Sequence, residues 1–290
     1  GRGAEGPLLS PADEAEFEAL LRGGFSRDRL TEFFSRRPFD VARRLGEVLR
    51  VLLRIRGVWV SDVPQDAKGE ELRRSLQQLG PIFVKLGQTL AQRPDLVSEE
   101  VTLELRGLQV NATAFPDSVA HGIILEDLGH RGPLAPGVCP AGCDPALPPL
   151  FADISDGPVA AASLGQVYRA MTHDGRELAV KVQRPRLARS VALDWATLFL
   201  LTKVYRTVRA AYNDFTVLAD QVASGVFLEL DYHNEARNIE EFIDLHRWLG
   251  FVTAPRWVRE YTGPKGTARV LSTEWIDGRR FDELPRRLRR

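Results

Sequence analysis

Between Glu70 and Leu108 the apolar residues Leu72, Leu76, Leu79, Ile82, Phe83, Leu86 and Leu90 recur at the spacing of one helical face. Gly80-Pro81 interrupts that pattern, so one helix is expected to end there and another to begin, since proline suits a first helical turn. Upstream, an acidic run from Asp13 to Glu18 leads into arginine-rich amphipathic helices that Pro64 breaks. Asp117 to Leu128 predicts a further short helix. Residues 129–149 are rich in proline and glycine and hold both cysteines, which predicts a solvent-exposed loop insertion. From Ile154 the period shortens to two. Val159–Tyr168 and Glu177–Gln183 flank His173-Asp174-Gly175, a hairpin turn signal. Leu193–Asn213 and Phe215–Trp248 read as long helices, and Pro255–Tyr261 and Ala268–Ile276 as two more strands closed by Asp277-Gly278. The pattern divides the chain into amphipathic helices over 1–64, a second helical segment over 65–128, the loop over 129–153, a strand-and-helix unit over 154–278 and a basic tail over 279–290. No internal repeat is visible.

Composition narrows the picture. A chain of 290 residues can bury one large core or two coupled ones, and 44% hydrophobic with 27% charged residues is ordinary for a folded protein. Thirty-nine basic residues balance 39 acidic ones, so nucleic-acid binding gains no support. Only Lys68, Lys85, Lys181, Lys203 and Lys265 are lysines; the arginine excess reads as coding bias. No apolar run approaches the ~18–20 residues of a membrane helix. Leu45–Val60 is interrupted by Arg50, Arg54 and Arg56, giving a basic amphipathic helix. It either packs on its own domain or lies on a membrane surface with its arginines toward headgroups. Cys139 and Cys143 cannot close a zinc site alone; unpaired loop thiols are expected, with a loop disulfide as the alternative. No metal site is assigned.

The chemistry concentrates in four places. Alternation along Glu177–Gln183 puts Leu178, Val180 and Val182 on one face and Ala179, Lys181 and Gln183 on the other. A mid-strand lysine flanked by apolar residues suits a nucleotide's phosphates when a neighbouring helix supplies a carboxylate; the plain alternative is a lysine on a half-exposed strand. Upstream, Ala160-Ala161-Ala162-Ser163-Leu164-Gly165-Gln166-Val167 stands where a phosphate-covering glycine-rich hairpin would fold. Alanines still offer backbone N–H groups but with fewer conformations, which predicts altered nucleotide affinity rather than none. Downstream, Asp231 and Glu235 share one face of the expected helix, and Glu229 stands roughly 200° from Asp231, so both reach one point only if the helix frays. Glu235 is the natural partner for Lys181. On the Gly80–Leu90 helix, Lys85, Gln88, Thr89 and Gln92 oppose the apolar arc, and Gly87 permits close approach of another backbone.

Taken in order, these segments resemble the UbiB family of atypical, protein-kinase-like proteins. The resemblance rests on Leu79 to Leu90 with Arg93-Pro94-Asp95-Leu96, on Ala160–Val167 and Leu178–Pro185, on Glu229–Asn238, and on Thr273-Glu274-Trp275-Ile276-Asp277-Gly278. It runs from about residue 30 to residue 278, and its Lys-x-Gly-Gln element is peculiar to that family. It implies an α+β fold: a kinase-like N-lobe with an antiparallel sheet and an αC-type helix, wrapped by a helical extension, with the C-lobe missing. By position, Lys85 and Gln88 would occupy the nucleotide cleft and exclude peptide substrates, with Lys85 meeting Glu229 and Asp231. Ala160, Ala161, Ala162 and Ser163 would replace the glycine-rich loop, Lys181 would contact phosphates, and Glu235 would orient it. Glu274 and Ile276 would belong to the hinge that meets adenine.

The implied ligand is ATP, and the family uses magnesium. The catalytic-loop aspartate, asparagine and metal-binding Asp-Phe-Gly that supply its ligands are absent here, since no histidine follows His246 and the chain ends in Leu284–Arg290. Leu108–Thr113 also departs from the family's more acidic pattern. The resemblance therefore implies an atypical kinase or ATPase that supports isoprenoid-quinone or lipid metabolism at a membrane, inactive as this chain alone. The reading from another class is a non-catalytic interaction or membrane-surface scaffold; a conventional protein kinase fits poorly. Partners are then ATP and a membrane surface, lipid or quinone, with a homodimer left open. The first residue is glycine, which suggests a fragment or processed form; with the arginine bias and the loop insertion it favours a plastid over a mitochondrion, a bacterial membrane-associated setting remaining open.

Overall fold

The structure, a computed structural model, describes residues 11–21, 26–92, 97–109, 114–209, 215–265 and 268–279. The Arg93–Leu96 motif, most of the Leu108–Thr113 stretch and the basic tail from residue 280 lie outside them. Helices come first: α1 (Pro11–Leu21), α2 (Arg27–Ser35), α3 (Pro38–Val60), α4 (Gln65–Leu79), α5 (Pro81–Leu90), α6 (Glu99–Arg106) and α7 (Asp117–Asp127). A sheet follows, with β1 (Asp153–Ile154), β2 (Ala160–Ala161), β3 (Gly165–Met171) and β4 (Glu177–Gln183). After α8 (Leu187–Arg209), α9 (Phe215–Leu230) and α10 (Tyr232–His246), β5 (Val270–Glu274) completes the sheet. The fold is α+β, as expected.

The expected break at Gly80-Pro81 is present. Gly80 has φ 109°, a left-handed conformation open to glycine, and its N–H closes α4 on the Leu76 carbonyl at 3.1 Å. Pro81 then starts α5. The β3–β4 hairpin turns at Gly175, φ 84°, and pairs Val167 with Lys181. On the far side β4 pairs with β5, Lys181 opposite Leu271 and Leu178 opposite Glu274. β1 and β2 lie in succession along the outer edge of β3.

Four expectations change. The strand read over Val159–Tyr168 is two strands, because the Ala162 N–H bonds the Gly165 carbonyl at 2.8 Å and folds β2 back along β3. Pro255–Tyr261 forms only a bridge between Trp257 and Thr273 followed by a 3-10 turn at Arg259–Tyr261; Pro255 has no N–H to give a ladder. The helix read over Phe215–Trp248 breaks at Asp231, whose carboxylate accepts the N–H groups of His233 and Asn234 at 3.1 and 3.2 Å and so caps α10. Asp231 and Glu235 therefore do not share a helical face. Finally, Cys139 and Cys143 are disulfide-bonded rather than unpaired, with Cα atoms 5.7 Å apart. Most of residues 136–148 are exposed, as expected of the loop, while its base is packed: Leu134 and Ala135 are buried beside Phe151.

Two main cores result. The helical core gathers Leu30, Phe33, Val48, Leu76, Ile82, Val101, Leu105, Val191, Trp195 and Val226. The second covers one sheet face, where Ile123 and Ile124 of α7 meet Tyr168, Leu178, Val180, Val182 and Val270. α10 covers the opposite face, with Tyr232 and Ala236 against Leu271 and Ala268. That face carries Lys181. On α3, Val48 and Val51 point inward while Leu49, Leu52, Leu53, Trp59 and Val60 stay exposed. Among the described residues no helix is long and apolar enough to cross a membrane.

Candidate nucleotide site

Strand alternation turns Lys181 away from the buried row Leu178, Val180, Val182 and toward α10. There its Nζ donates to both carboxylate oxygens of Glu235, each at 2.7 Å, and lies 5.0 Å from the centre of the Tyr232 ring. Both members of the pair remain about one-third exposed, 30% and 34%, so one side of the cation faces outward. Gln183, two residues along the same face, is buried, and its amide donates to the Leu230 carbonyl at 3.1 Å. Two neighbouring positions of β4 thus hold the two sides of the helix break at Asp231.

The alanine run lies over the end of this strand pair. Ala160 and Ala161 form β2, Ala162 is exposed, and Ser163 and Leu164 complete the turn into β3. One alanine amide, that of Ala162, is engaged within the turn. Its carbonyl accepts from Arg184 Nε and Nη2 at 3.2 and 3.0 Å, and the Arg184 N–H bonds the Leu164 carbonyl. The turn is therefore braced from the far end of β4. Gly165 cannot be larger: a Cβ there would sit 2.4 Å from the Val182 carbonyl oxygen.

On α5, Lys85 reaches across to Glu229 near the end of α9 and pairs with its carboxylate. Asp231 does not join that pair; it caps α10. The Gln88 amide donates to the Leu108 carbonyl at 3.5 Å. Gly87 is a close-approach point, though for side chains rather than a backbone: an added Cβ would stand 2.4 Å from Leu108 Cδ1 and 2.6 Å from Leu76 Cδ1. Two ion pairs, Lys85–Glu229 and Lys181–Glu235, thus flank one capped break between helices.

Glu274 ends β5, its N–H on the Arg256 carbonyl at 2.9 Å, and Ile276 is exposed in the irregular segment beyond. Glu274 is three ladder positions from the residue opposite Lys181, which sets the hinge segment about 10 Å along the sheet from the lysine.

The sequence placed Gln183 on the Lys181 face without a role, and gave no sign of Tyr232, Arg184 or Asp127. Tyr232 is buried beneath Lys181 with its hydroxyl unpartnered, and burial pushes that phenol upward. Asp127 accepts the Arg269 and Val270 N–H groups at 2.8 and 2.9 Å and fixes the start of β5; burial raises its carboxyl. Among the described residues no three His, Cys, Asp or Glu side chains gather as a metal site.

Residues 142–288 match the family described as the ABC1 atypical kinase-like domain. An uncharacterized protein of Synechocystis is 38% identical over 259 residues, covering 87% of this chain and 35% of that protein. A chloroplastic aarF domain-containing protein kinase of Arabidopsis thaliana, also uncharacterized, is 32% identical over 281 residues, covering 94% and 37%. The probable protein kinase UbiB of Cellvibrio japonicus is 37% identical over 180 residues, covering 60% and 29%. The chain spans about a third of the length of these relatives. With the family match, the collinear motifs and the sheet that presents Lys181 to Glu235, this chain belongs to the ABC1/UbiB family of atypical kinase-like proteins.

Proposed function

We propose that this chain is the nucleotide-binding portion of a UbiB-type atypical kinase or ATPase that supports isoprenoid-quinone or lipid metabolism at a membrane. The observation that carries the reading is Lys181 held by both oxygens of Glu235 beside the braced alanine turn, with its outer side open. A fixed ammonium there can neutralise phosphate charge, and the Glu274–Ile276 segment lies along the sheet for an adenine. ATP supplies the transferable phosphoryl group; these residues bind and orient it. Magnesium finds no donor cluster in the described residues, and no step is assigned to it. On this reading the 290-residue chain binds ATP weakly and turns over nothing. Titration with a fluorescent ATP analogue should show saturable binding that Lys181→Ala abolishes. Binding unaffected by Lys181→Ala would remove the reading, and ATP hydrolysis that this substitution abolishes would remove its second half. The chloroplastic names of its Arabidopsis relatives support a plastid setting.

A second reading, a membrane-surface scaffold, is favoured by α3. Its outward row Leu49, Leu52, Leu53, Trp59 and Val60 is flanked by exposed Arg50 and Arg56. Absence of any ATP-induced thermal shift, together with sedimentation on anionic vesicles that Leu53→Glu abolishes, would select it.

A further inference from the structure

Arg44 and Asp194 are a buried charged pair far from any motif in the sequence, 8% and 1% exposed. Arg44 Nε donates to Asp194 Oδ1 at 2.6 Å, Nη1 donates to Glu47 Oε2 at 2.8 Å, and Nη2 donates to the Leu79 carbonyl. Three elements thus meet at one guanidinium: α3 supplies it, α8 supplies the carboxylate, and the carbonyl is the last of α4. Leu79 is followed by left-handed Gly80 and then by α5, so Lys85 stands little more than one helical turn beyond the point held. The second oxygen of Asp194 is buried without a partner, and an added Cβ on Gly80 would lie 3.9 Å from it. Burial of this kind does not stabilise efficiently, because desolvating two charges offsets most of their attraction and apolar replacements often do as well. What the pair does supply is direction: a planar fork that takes a carboxylate on one edge and a carbonyl on another permits one placement of the α4–α5 corner.

We infer that Arg44 and Asp194 are positioning residues that set the origin of α5 and thereby hold Lys85 against Glu229. Its bearing on nucleotide binding rests on the proposed function above; the placement of Lys85 does not. α8, which carries Asp194, packs on α9, which carries Glu229, so the pair fixes both partners of the Lys85 contact to one layer.

The test uses the full chain with Asp194→Asn, and Arg44→Lys as the milder variant, which keeps the charge but loses the fork. The amine of Lys85 is acylated at limiting reagent and quantified by peptide mass spectrometry against Lys68 on α4. Release from Glu229 should raise relative Lys85 labelling about three- to thirty-fold in whichever variant folds. Unchanged labelling in a folded variant would overturn the inference. Affinity for a fluorescent ATP analogue is measured alongside, in the native and Lys85→Ala backgrounds. The substitution should change affinity in the first and leave it unchanged in the second, because it acts through Lys85. An equal change in both would mean that the pair is only structural, which also overturns the inference. If the native chain binds no nucleotide, the functional reading fails and the labelling result alone decides the positioning role.

Discussion

Lys181 and Glu235 are exposed enough that water screens their attraction, and pairs of that kind contribute about 0–1 kcal/mol to stability. Their bidentate geometry makes them a positional device rather than a structural one. Glu235→Gln, which keeps shape and removes charge, should leave the melting temperature nearly unchanged and weaken nucleotide binding about tenfold, 1.4 kcal/mol. Parallel thermal melts and nucleotide titrations check both halves. Gly87 behaves oppositely. Alanine there gains helix propensity of about 1 kcal/mol but forces a methyl into buried Leu76 and Leu108, an overpacking cost of about 1–3 kcal/mol. Gly87→Ala is therefore expected to be net destabilising in chemical denaturation. A gain in stability would mean that the α5 surface is looser than the geometry indicates.

Helices were legible in the sequence wherever period and punctuation agreed. Gly80-Pro81 and the Asp174-Gly175 turn announced themselves through backbone chemistry that only those residues supply readily. The break at Asp231 was hidden, because apolar residues keep a helical rhythm from Phe215 through Trp248 while the capping is done by one short carboxylate. Asp231→Ala should destabilise by about 1 kcal/mol through loss of the cap, whereas Asp231→Asn should recover most of it. Equal stability of all three forms would show that packing alone maintains the break. The candidate site was legible as pairs, Lys181 with Glu235 and Lys85 with Glu229, but not as a corner. Arg44 and Asp194 lie 150 positions apart, and no local period links them. α7 carries a pH prediction. Burial lowers the His121 pKa from 6.5 against the opposing pull of Asp117, and its Nε2 is buried without a partner beside Tyr168. The folded state therefore keeps it neutral: its contribution is present above the unfolded value and lost as pH falls through the lowered one. Thermal melts from pH about 7.5 to about 5 should show His121→Phe losing less stability than the native chain.

At the scale of the whole molecule the disulfide matters because its loop is rooted in the sheet core at Leu134 and Ala135. The Cys139–Cys143 bond closes a short ring, which on chain-entropy grounds contributes about 2 kcal/mol. Reduction should lower the melting temperature of the intact chain by several degrees, and Cys139→Ser/Cys143→Ser should remove the response to reductant. No shift on reduction would mean that the packed base holds the loop unaided. Composition could not reveal this, since proline and glycine give the same reading whether a loop is solvated or rooted. The last consequence concerns β4. Its Lys181 and Gln183 grip two different helices, Glu235 on α10 and the final carbonyl of α9. The strand therefore acts as a ruler laid across a joint. A single inserted residue before Lys181 would turn both side chains into the opposite face and release both helices together. The same insertion at the Gly175 turn, or at the exposed tip of the cysteine loop, would be absorbed by solvent. Length variation is thus tolerated at the hairpin turn and the cysteine-loop tip, while β4 must keep its count of residues as well as its Lys181 and Gln183.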